Sequence, residues 1–534
     1  MTGLGRRRRV RVLLAVCVAV PTLLSGCAST GPGLVAGRSS RTGSTSTSPD
    51  TSSPDTSSPD TSSPDTSSPD TSSPDASGPD ASGGETSVPS TELPGTAGTS
   101  GLGDVLYPDL GNPGIDVQHY DVTLHFDRAT GTIDATAALH IAATEHLDRF
   151  TLDAVGLDVA SVTVDGLDAE FATDDPELRI TPPAPLSTGE MFDVVVTYSA
   201  EANGGTISAG VSAGWFETDN GSFVLNEPDG ARTWLPSNDH PSDKATYHFT
   251  ITVPAHVSAV ANGALVSHDT TSAGEVWVWD EPDPMTTYVI QLLTGPLDIV
   301  TGTAPNGVAM TSALQAGDQS LMQPYLDSTA AQLDFFDDWF GPYPFTSYGV
   351  AMTDGYIGGA MEEQGRSLFS RSDFESGETD ANTELLLSHE LAHQWFGDGV
   401  SPADWSDIWL NESFATYGQW MWLEHQGYGT VDDYANESLA QRRGSREATG
   451  KPTLAGLFGF EVYEGGAVVL QALRKTVGDE VFFATLRSWV QDNLGTSRTS
   501  RDFIELASKQ AGRDLTALFD TWLYSADVPA TYPS

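Results

Sequence analysis

Two short stretches, His389-Glu390-Leu391-Ala392-His393 and Asn411-Glu412, hold residue types from which a metal centre can be built. Positions four apart stack on one face of an α-helix, so His389 and His393 can turn both imidazoles toward one cation. A catalytic zinc takes three protein ligands and keeps one position open. Glu412, 19 residues after His393, is the candidate third ligand. The glycine and proline in Gly397–Pro402 break the first helix, and an antiparallel return would bring Glu412 back to the histidines. Glu390 is left outside the ligand set, where it can take a proton from a water acidified by the metal. The resulting hydroxide would attack a carbonyl that the metal polarises, which is amide hydrolysis. The tetrahedral intermediate is anionic, and a tyrosine hydroxyl is a suitable neutral donor for it. The other nine histidines have no such spacing and are read as ordinary core or surface groups.

The surrounding sequence predicts the elements that must hold this group. Leu321–Trp339 carries apolar residues at helical spacing until Gly341-Pro342 stops it. Tyr348–Thr353 reads as a short strand, Asn382–Phe396 as the motif helix and Ile408–His425 as its partner. Further helices are expected at 463–475, 479–493, 500–511 and 515–524. Trp395, Trp405, Trp409, Trp420 and Trp422 surround the two motif helices and are expected to pack the core. Upstream, Val117–Phe126 alternates as a half-buried strand does. Similar β-branched and aromatic runs at Thr136–Ala142, Met191–Tyr198, Tyr247–Val253, Glu275–Trp279 and Tyr288–Leu293 are separated by turn residues. The expectation is a multi-domain chain: an antiparallel β domain over 105–303, then a mixed, mainly helical catalytic domain over 304–534.

The first 104 residues are of another kind. Arg6–Arg9 and Arg11 precede a 13-residue apolar run, Val12–Leu24, which is short for a bilayer span. Leu24-Ser25-Gly26-Cys27 resembles a lipobox, so residues 1–26 are expected to be a lipoprotein signal peptide and Cys27 the lipidated residue. Lipid would hold the protein at the outer face of the cell membrane. Residues 27–104, rich in Ser, Thr, Pro and Asp with a five-residue repeat, cannot bury a core and are expected to act as a disordered tether. The only other cysteine is Cys17, so no disulfide framework is available to the folded part. The chain has 25 basic and 73 acidic residues, a formal net charge of −48, and removal of the signal takes away five arginines. Such a balance excludes nucleic acid as a partner and suits an acidic extracellular surface.

The motifs together resemble the aminopeptidase N family of zinc metallopeptidases, gluzincins related to leukotriene hydrolase. His389–Asp398 and Trp409–Ala415 are similar to that family's two zinc segments, and Gly359-Ala360-Met361-Glu362-Glu363 to its exopeptidase motif. Tyr463-Glu464-Gly465-Gly466-Ala467 resembles the segment bearing a transition-state tyrosine, and Glu227–Ala245 a segment of a saddle-shaped N-terminal domain. The resemblance implies a thermolysin-like catalytic domain and one zinc on His389, His393 and Glu412. Glu390 would be the general base and Tyr463 the oxyanion donor. It also implies that Glu362 and Glu227 bind the free α-ammonium of a peptide, beside a substrate-binding stretch formed by Gly359, Ala360 and Met361. Gly358-Gly359 would let a substrate backbone approach, and Tyr348–Thr353 would offer a strand edge for it.

Two positions depart from the family pattern. Glu363 stands in place of asparagine, either adding charge beside the ammonium site or pointing outward, and Gly465 stands in place of lysine. The sequence stops soon after Leu515–Tyr524, without the large helical C-terminal domain of longer relatives. A more open cleft that tolerates longer peptides is the resulting expectation. The alternatives are a surface lipoprotein that binds peptides without turnover, and a zinc endopeptidase.

Overall fold

The alternating strand Ile115–Asp127 shows how the β part is built: Tyr120, Val122, Leu124 and Phe126 are buried while Asp121, Thr123 and His125 face out. It lies near the middle of an eight-stranded sheet in the order Ala264–Thr271, Gly274–Met285, Ala245–Val253, Ile115–Asp127, Thr132–Ala143, Met191–Glu201, Asp158–Val164, Leu167–Asp168. Neighbours in it are antiparallel except Ala245–Val253 against Ile115–Asp127, which pair parallel. The chain can make that parallel join because it first leaves to build much of a five-stranded sheet, which includes Ser212–Glu217 and Ser222–Leu225. The computed structural model describes residues 96–97 and 100–533, apart from 175, 203 and 207–209. Cys27, the expected signal peptide and nearly all of the expected tether lie outside the described residues.

A separate, six-stranded mixed sheet carries the order Leu297–Thr303, Ala309–Gln315, Val350–Thr353, Ser367–Ser370, Ala360–Met361, with Ser347–Tyr348 also pairing to Ala309–Gln315. Leu297–Thr303 pairs with Ala309–Gln315 along its whole length. The expected domain boundary after residue 303 therefore cuts a hairpin, and the catalytic sheet begins at Leu297. Val350–Thr353 is bonded on both sides, in parallel to Ala309–Gln315 and to Ser367–Ser370. The expectation that Tyr348–Thr353 offers a free edge is thus incorrect for Val350–Thr353; the edge strand on the Ser367–Ser370 side is Ala360–Met361. The four residues of Val350–Thr353 are all buried, the pattern of a central parallel strand covered on both faces.

Eight helices follow among the described residues: α1 (Gln319–Phe340), α2 (Ala381–His393), α3 (Trp409–Gln426), α4 (Val431–Arg442), α5 (Glu464–Val477), α6 (Asp479–Asn493), α7 (Ser500–Ala511) and α8 (Thr516–Trp522). Helix α4 was not expected. Its buried stripe, Val431, Tyr434, Ala435, Ser438, Leu439 and Arg442, has helical spacing, but two members are polar. Arg442 is fully buried and donates to Gly465 O at 2.7 Å and Trp522 O at 2.6 Å, so a charged residue serves as packing. All five motif-region tryptophans are buried, as a core role requires.

Candidate active site

Helix α2 starts at a capping box in which the Asp380 side chain accepts from Asn382 N and Thr383 N, while Thr383 answers through its hydroxyl. It ends at His393, so His389 and His393 sit on consecutive turns of its last stretch. Gly397, with φ at +129°, begins the reversal that leads to α3. The two helices press together at Gly418, where an added Cβ would come within 2.9 Å of the Ala392 Cβ. This close approach sets Glu412, in the first turn of α3, against both histidines.

The result is a compact donor set. His389 Nε2 lies 3.1 Å from His393 Nε2 and 3.2 Å from Glu412 Oε2, and His393 Nε2 lies 3.3 Å from the same oxygen. Ligand atoms at about 2.0–2.1 Å from a tetrahedral zinc are separated by about 3.3 Å, so the three fit that ion as they stand. Their other nitrogens are held: His389 Nδ1 is 2.9 Å from Gln419 Oε1, and His393 Nδ1 is 3.1 Å from Phe396 O. Burial opposes charge on Glu412, but the His393 and His389 imidazoles hold its carboxyl well below the usual range.

Carboxylates crowd the remaining sides. Glu390 and Glu362 bring oxygens within 4.8 Å of a His393 nitrogen and of each other, and Glu227, Glu362 and Glu412 form a second such group. Glu362 is 3% exposed, its Oε1 has no hydrogen-bond partner, and that oxygen lies 3.9 Å from His393 Nδ1. Burial pushes the carboxyls of Glu390, Glu362 and Glu227 up, and the neighbouring acids add to it. Glu227 comes from the β part, from the segment between Ser222–Leu225 and the turn Ala231–Thr233. Tyr463 stands at the N-cap of α5 with its ring stacked on that of His389, centroids 5.8 Å apart and planes within 6°. Ala360–Met361 pairs with Ser367–Ser370 and runs into Glu362, with Gly359 just before it. His389, His393, Glu412, Glu390, Glu362, Glu227 and Tyr463 are thus brought together, and Ala360–Met361 leads directly into Glu362.

Glu363 behaves in neither of the expected ways. It is 1% exposed, accepts from Gln291 Nε2, and burial raises its carboxyl well above the usual range despite nearby Arg366. It points toward Gln291, the residue just before the strand Leu292–Gly295. At Gly465, the space next to its α-carbon holds the Glu461 carboxylate, which pairs with Arg442 Nε at 3.1 Å. Several residues of the site were not anticipated. Gln419 lies seven positions after Glu412, two turns along one helix face, a spacing that could have revealed it. Gln394 follows the motif directly and donates to Glu362 O at 3.2 Å while its Oε1 accepts from Gly365 N at 2.8 Å. Lys244 and Tyr288 reach from the β part to the carbonyls of Asp398 and Gly397, and Asn411 donates to the Tyr288 hydroxyl at 3.0 Å.

This geometry has counterparts in known proteins. Residues 325–522 match the description "Peptidase family M1 domain" and residues 116–289 "Peptidase M1 N-terminal domain". The structure of a point mutant of the M1 zinc metallopeptidase from Deinococcus radiodurans, bound to a Tyr-Ser-Ala substrate, is 30% identical. It superposes with a TM-score of 0.74 over 82% of this chain and 100% of that one. This chain belongs to peptidase family M1. A two-domain M1 zinc metallopeptidase mutant bound to L-arginine is 31% identical with a TM-score of 0.73, covering 82% of this chain and 99% of that one. Among curated relatives, Aminopeptidase M1-B of Oryza sativa subsp. japonica is 24% identical over 59% of this M1 chain and 38% of its own length. Probable aminopeptidase 2 of Sulfurisphaera tokodaii is 23% identical over 79% of this chain and 55% of its own. The chain thus spans about two fifths of the length of the first such relatives it matches. Family and solved relatives alike indicate zinc as the cofactor for the donor set described above.

Proposed function

We propose that this M1 family member is a zinc-dependent aminopeptidase that removes the N-terminal residue from peptides. The observation that carries the reading is the excess of carboxylate around the donor set. Glu412 complements the metal and Glu390 stands beside it. Glu362 and Glu227 are a further pair, converging at one side, and among the described residues no lysine or arginine pairs with either. A peptide α-ammonium is a counter-ion of the right charge and size, and it forms strong charge-assisted hydrogen bonds with carboxylates. Relatives support this: their bound ligands, Tyr-Ser-Ala and free L-arginine, each have a free α-ammonium.

On this reading His389, His393 and Glu412 hold zinc, which when bound supplies a Lewis acid for the scissile carbonyl and acidifies water. Glu390 accepts the proton of the attacking water and returns it to the leaving amine, so that proton is balanced across the step. The Tyr463 hydroxyl donates to the oxyanion, and Glu362 with Glu227 fixes the α-ammonium so that only the first peptide bond is presented. Gly359, Ala360 and Met361 supply the sheet edge along which the substrate backbone lies. Lipidation at Cys27 and a tether over 27–104 would place this activity outside the cell, at the membrane surface.

The test uses the full chain with zinc and one fluorogenic peptide, offered with its N-terminus free or acetylated. Cleavage of the free form only is expected. Equal cleavage of both would refute the ammonium anchor and indicate an endopeptidase, and cleavage of neither would refute catalysis. Glu362→Ala should abolish discrimination in favour of the free form.

A further inference from the structure

Both expected metal ligands of α2 lean on neutral acceptors, and one of these is a side chain with no assigned part in the site. Gln419 is 4% exposed and directs Oε1 to His389 Nδ1 at 2.9 Å. It occupies the same helix as Glu412, so α3 supplies a ligand to the site and, two turns on, the group that grips another ligand. A side-chain amide oxygen can only accept, so Nδ1 of His389 carries the proton and Nε2 keeps its lone pair. That lone pair faces the 3.1–3.2 Å gap shared with His393 and Glu412. Metal-bound histidines are commonly gripped through the other nitrogen by a carboxylate or carbonyl, and the choice sets their basicity. His393 Nδ1 uses a backbone carbonyl, Phe396 O; the Glu362 carboxylate is 3.9 Å from that nitrogen, beyond hydrogen-bond range.

We propose that Gln419 is a positioning residue for the metal, fixing the tautomer and ring orientation of His389 and keeping that ligand a moderate donor. The proposal rests on the zinc reading above. An acceptor that carried a full negative charge would make a stronger hydrogen bond to Nδ1–H and push electron density onto Nε2. With Gln419 and Phe396 O in these places, neither imidazole is polarised in that way, and Glu412 is the sole anionic ligand of the three. The metal is then held less tightly than the protein could hold it, and stays more electron-poor toward a carbonyl.

The test measures zinc affinity and dissociation directly, with a chromophoric competitor chelator, for the full chain and for Gln419→Met and Gln419→Glu. Methionine keeps the length of the side chain and its helix propensity but removes the acceptor. Zinc dissociation constants should rise about 10–100-fold in Gln419→Met. Gln419→Glu, which restores an acceptor, should bind zinc at least as tightly as the parent and release it more slowly. Loss of the Nδ1–H acceptor itself lowers stability, so affinities are compared at a temperature where circular dichroism shows all three metal-free proteins folded. Parental affinity in Gln419→Met would overturn the proposal, as would equal weakening in both variants. A parent that fails to take up one zinc would instead overturn the metal assignment on which it rests.

Discussion

Helix α5 brings Tyr463 to the metal site only because Gly466 has no side chain. A Cβ added there would lie 1.6 Å from Ser413 Oγ, 2.5 Å from Ser413 Cβ and 3.2 Å from Thr449 Cγ2. Ser413 can swing its hydroxyl away, which sacrifices its 2.6 Å hydrogen bond to Val462 O, worth about 1 kcal/mol. Its Cβ cannot move independently of α3. Carbon atoms pack at about 3.5 Å or more, so Gly466→Ala must part α3 and α5 by about 1 Å at this point. Overpacking of this kind costs about 1–3 kcal/mol. The two helices carry Glu412 and Tyr463, and a displacement of about 1 Å in a catalytic constellation can cost about 100-fold in rate. The assay pairs thermal denaturation with kcat/KM on a free N-terminal peptide: both should fall, kcat most. Ser413→Gly removes the obstructing Cβ, so the double variant should recover most of the rate, less about 1 kcal/mol of stability for a second helix glycine. Parental kcat and midpoint in Gly466→Ala, or a double variant no better than the single, would refute the reasoning.

Other outcomes follow from the same structure. Glu390→Gln should keep one zinc per chain by metal analysis and lose about 100–10,000-fold in kcat, the range of a general base; loss of the metal would make Glu390 a ligand instead. Burial raises the Glu281 carboxyl from 4.5 to about 8. A folded value above the unfolded one gives a contribution complete below pH 4.5 and lost as the pH rises toward 8, at up to about 1.4 kcal/mol per pH unit. Glu281→Gln should therefore flatten the decline in urea midpoint between pH 5 and pH 8, and an unchanged slope would contradict this. Glu384 on α2 accepts from Ser328 Oγ at 2.6 Å, Gln332 Nε2 at 3.1 Å and Trp422 Nε1 at 2.6 Å, joining α1 and α3. Glu384→Leu leaves three donors without their acceptor and should lower stability by about 3 kcal/mol or more in chemical denaturation, while Glu384→Gln should lose much less.

The metal donors were legible because helical geometry converts a spacing of four into shared direction, and the Gly397–Pro402 break announced the return to Glu412. The edge beside the site was misread because Tyr348–Thr353 was judged as a strand without its neighbours. The unbroken apolar run Val350-Ala351-Met352 fits the inside of a parallel sheet. Helix α4 escaped notice because Arg442 and Ser438 interrupt its apolar stripe, and only the carbonyls of Gly465 and Trp522 show why a guanidinium belongs there. The inward turn of Glu363 was equally out of reach, since its partner Gln291 is 72 residues away in the chain. Contacts this distant are decided by packing between sheets, which no local pattern records.

The arrival of Glu227 from the β part divides the proposed enzyme's labour between two folds. On the proposed reading, metal capture and proton transfer would reside in the helical half, whereas reading of the chain terminus would need both halves, which Lys244 and Tyr288 help to join. A hybrid that exchanged the β half between relatives would therefore inherit its hydrolytic machinery from one parent and part of its selectivity from the other.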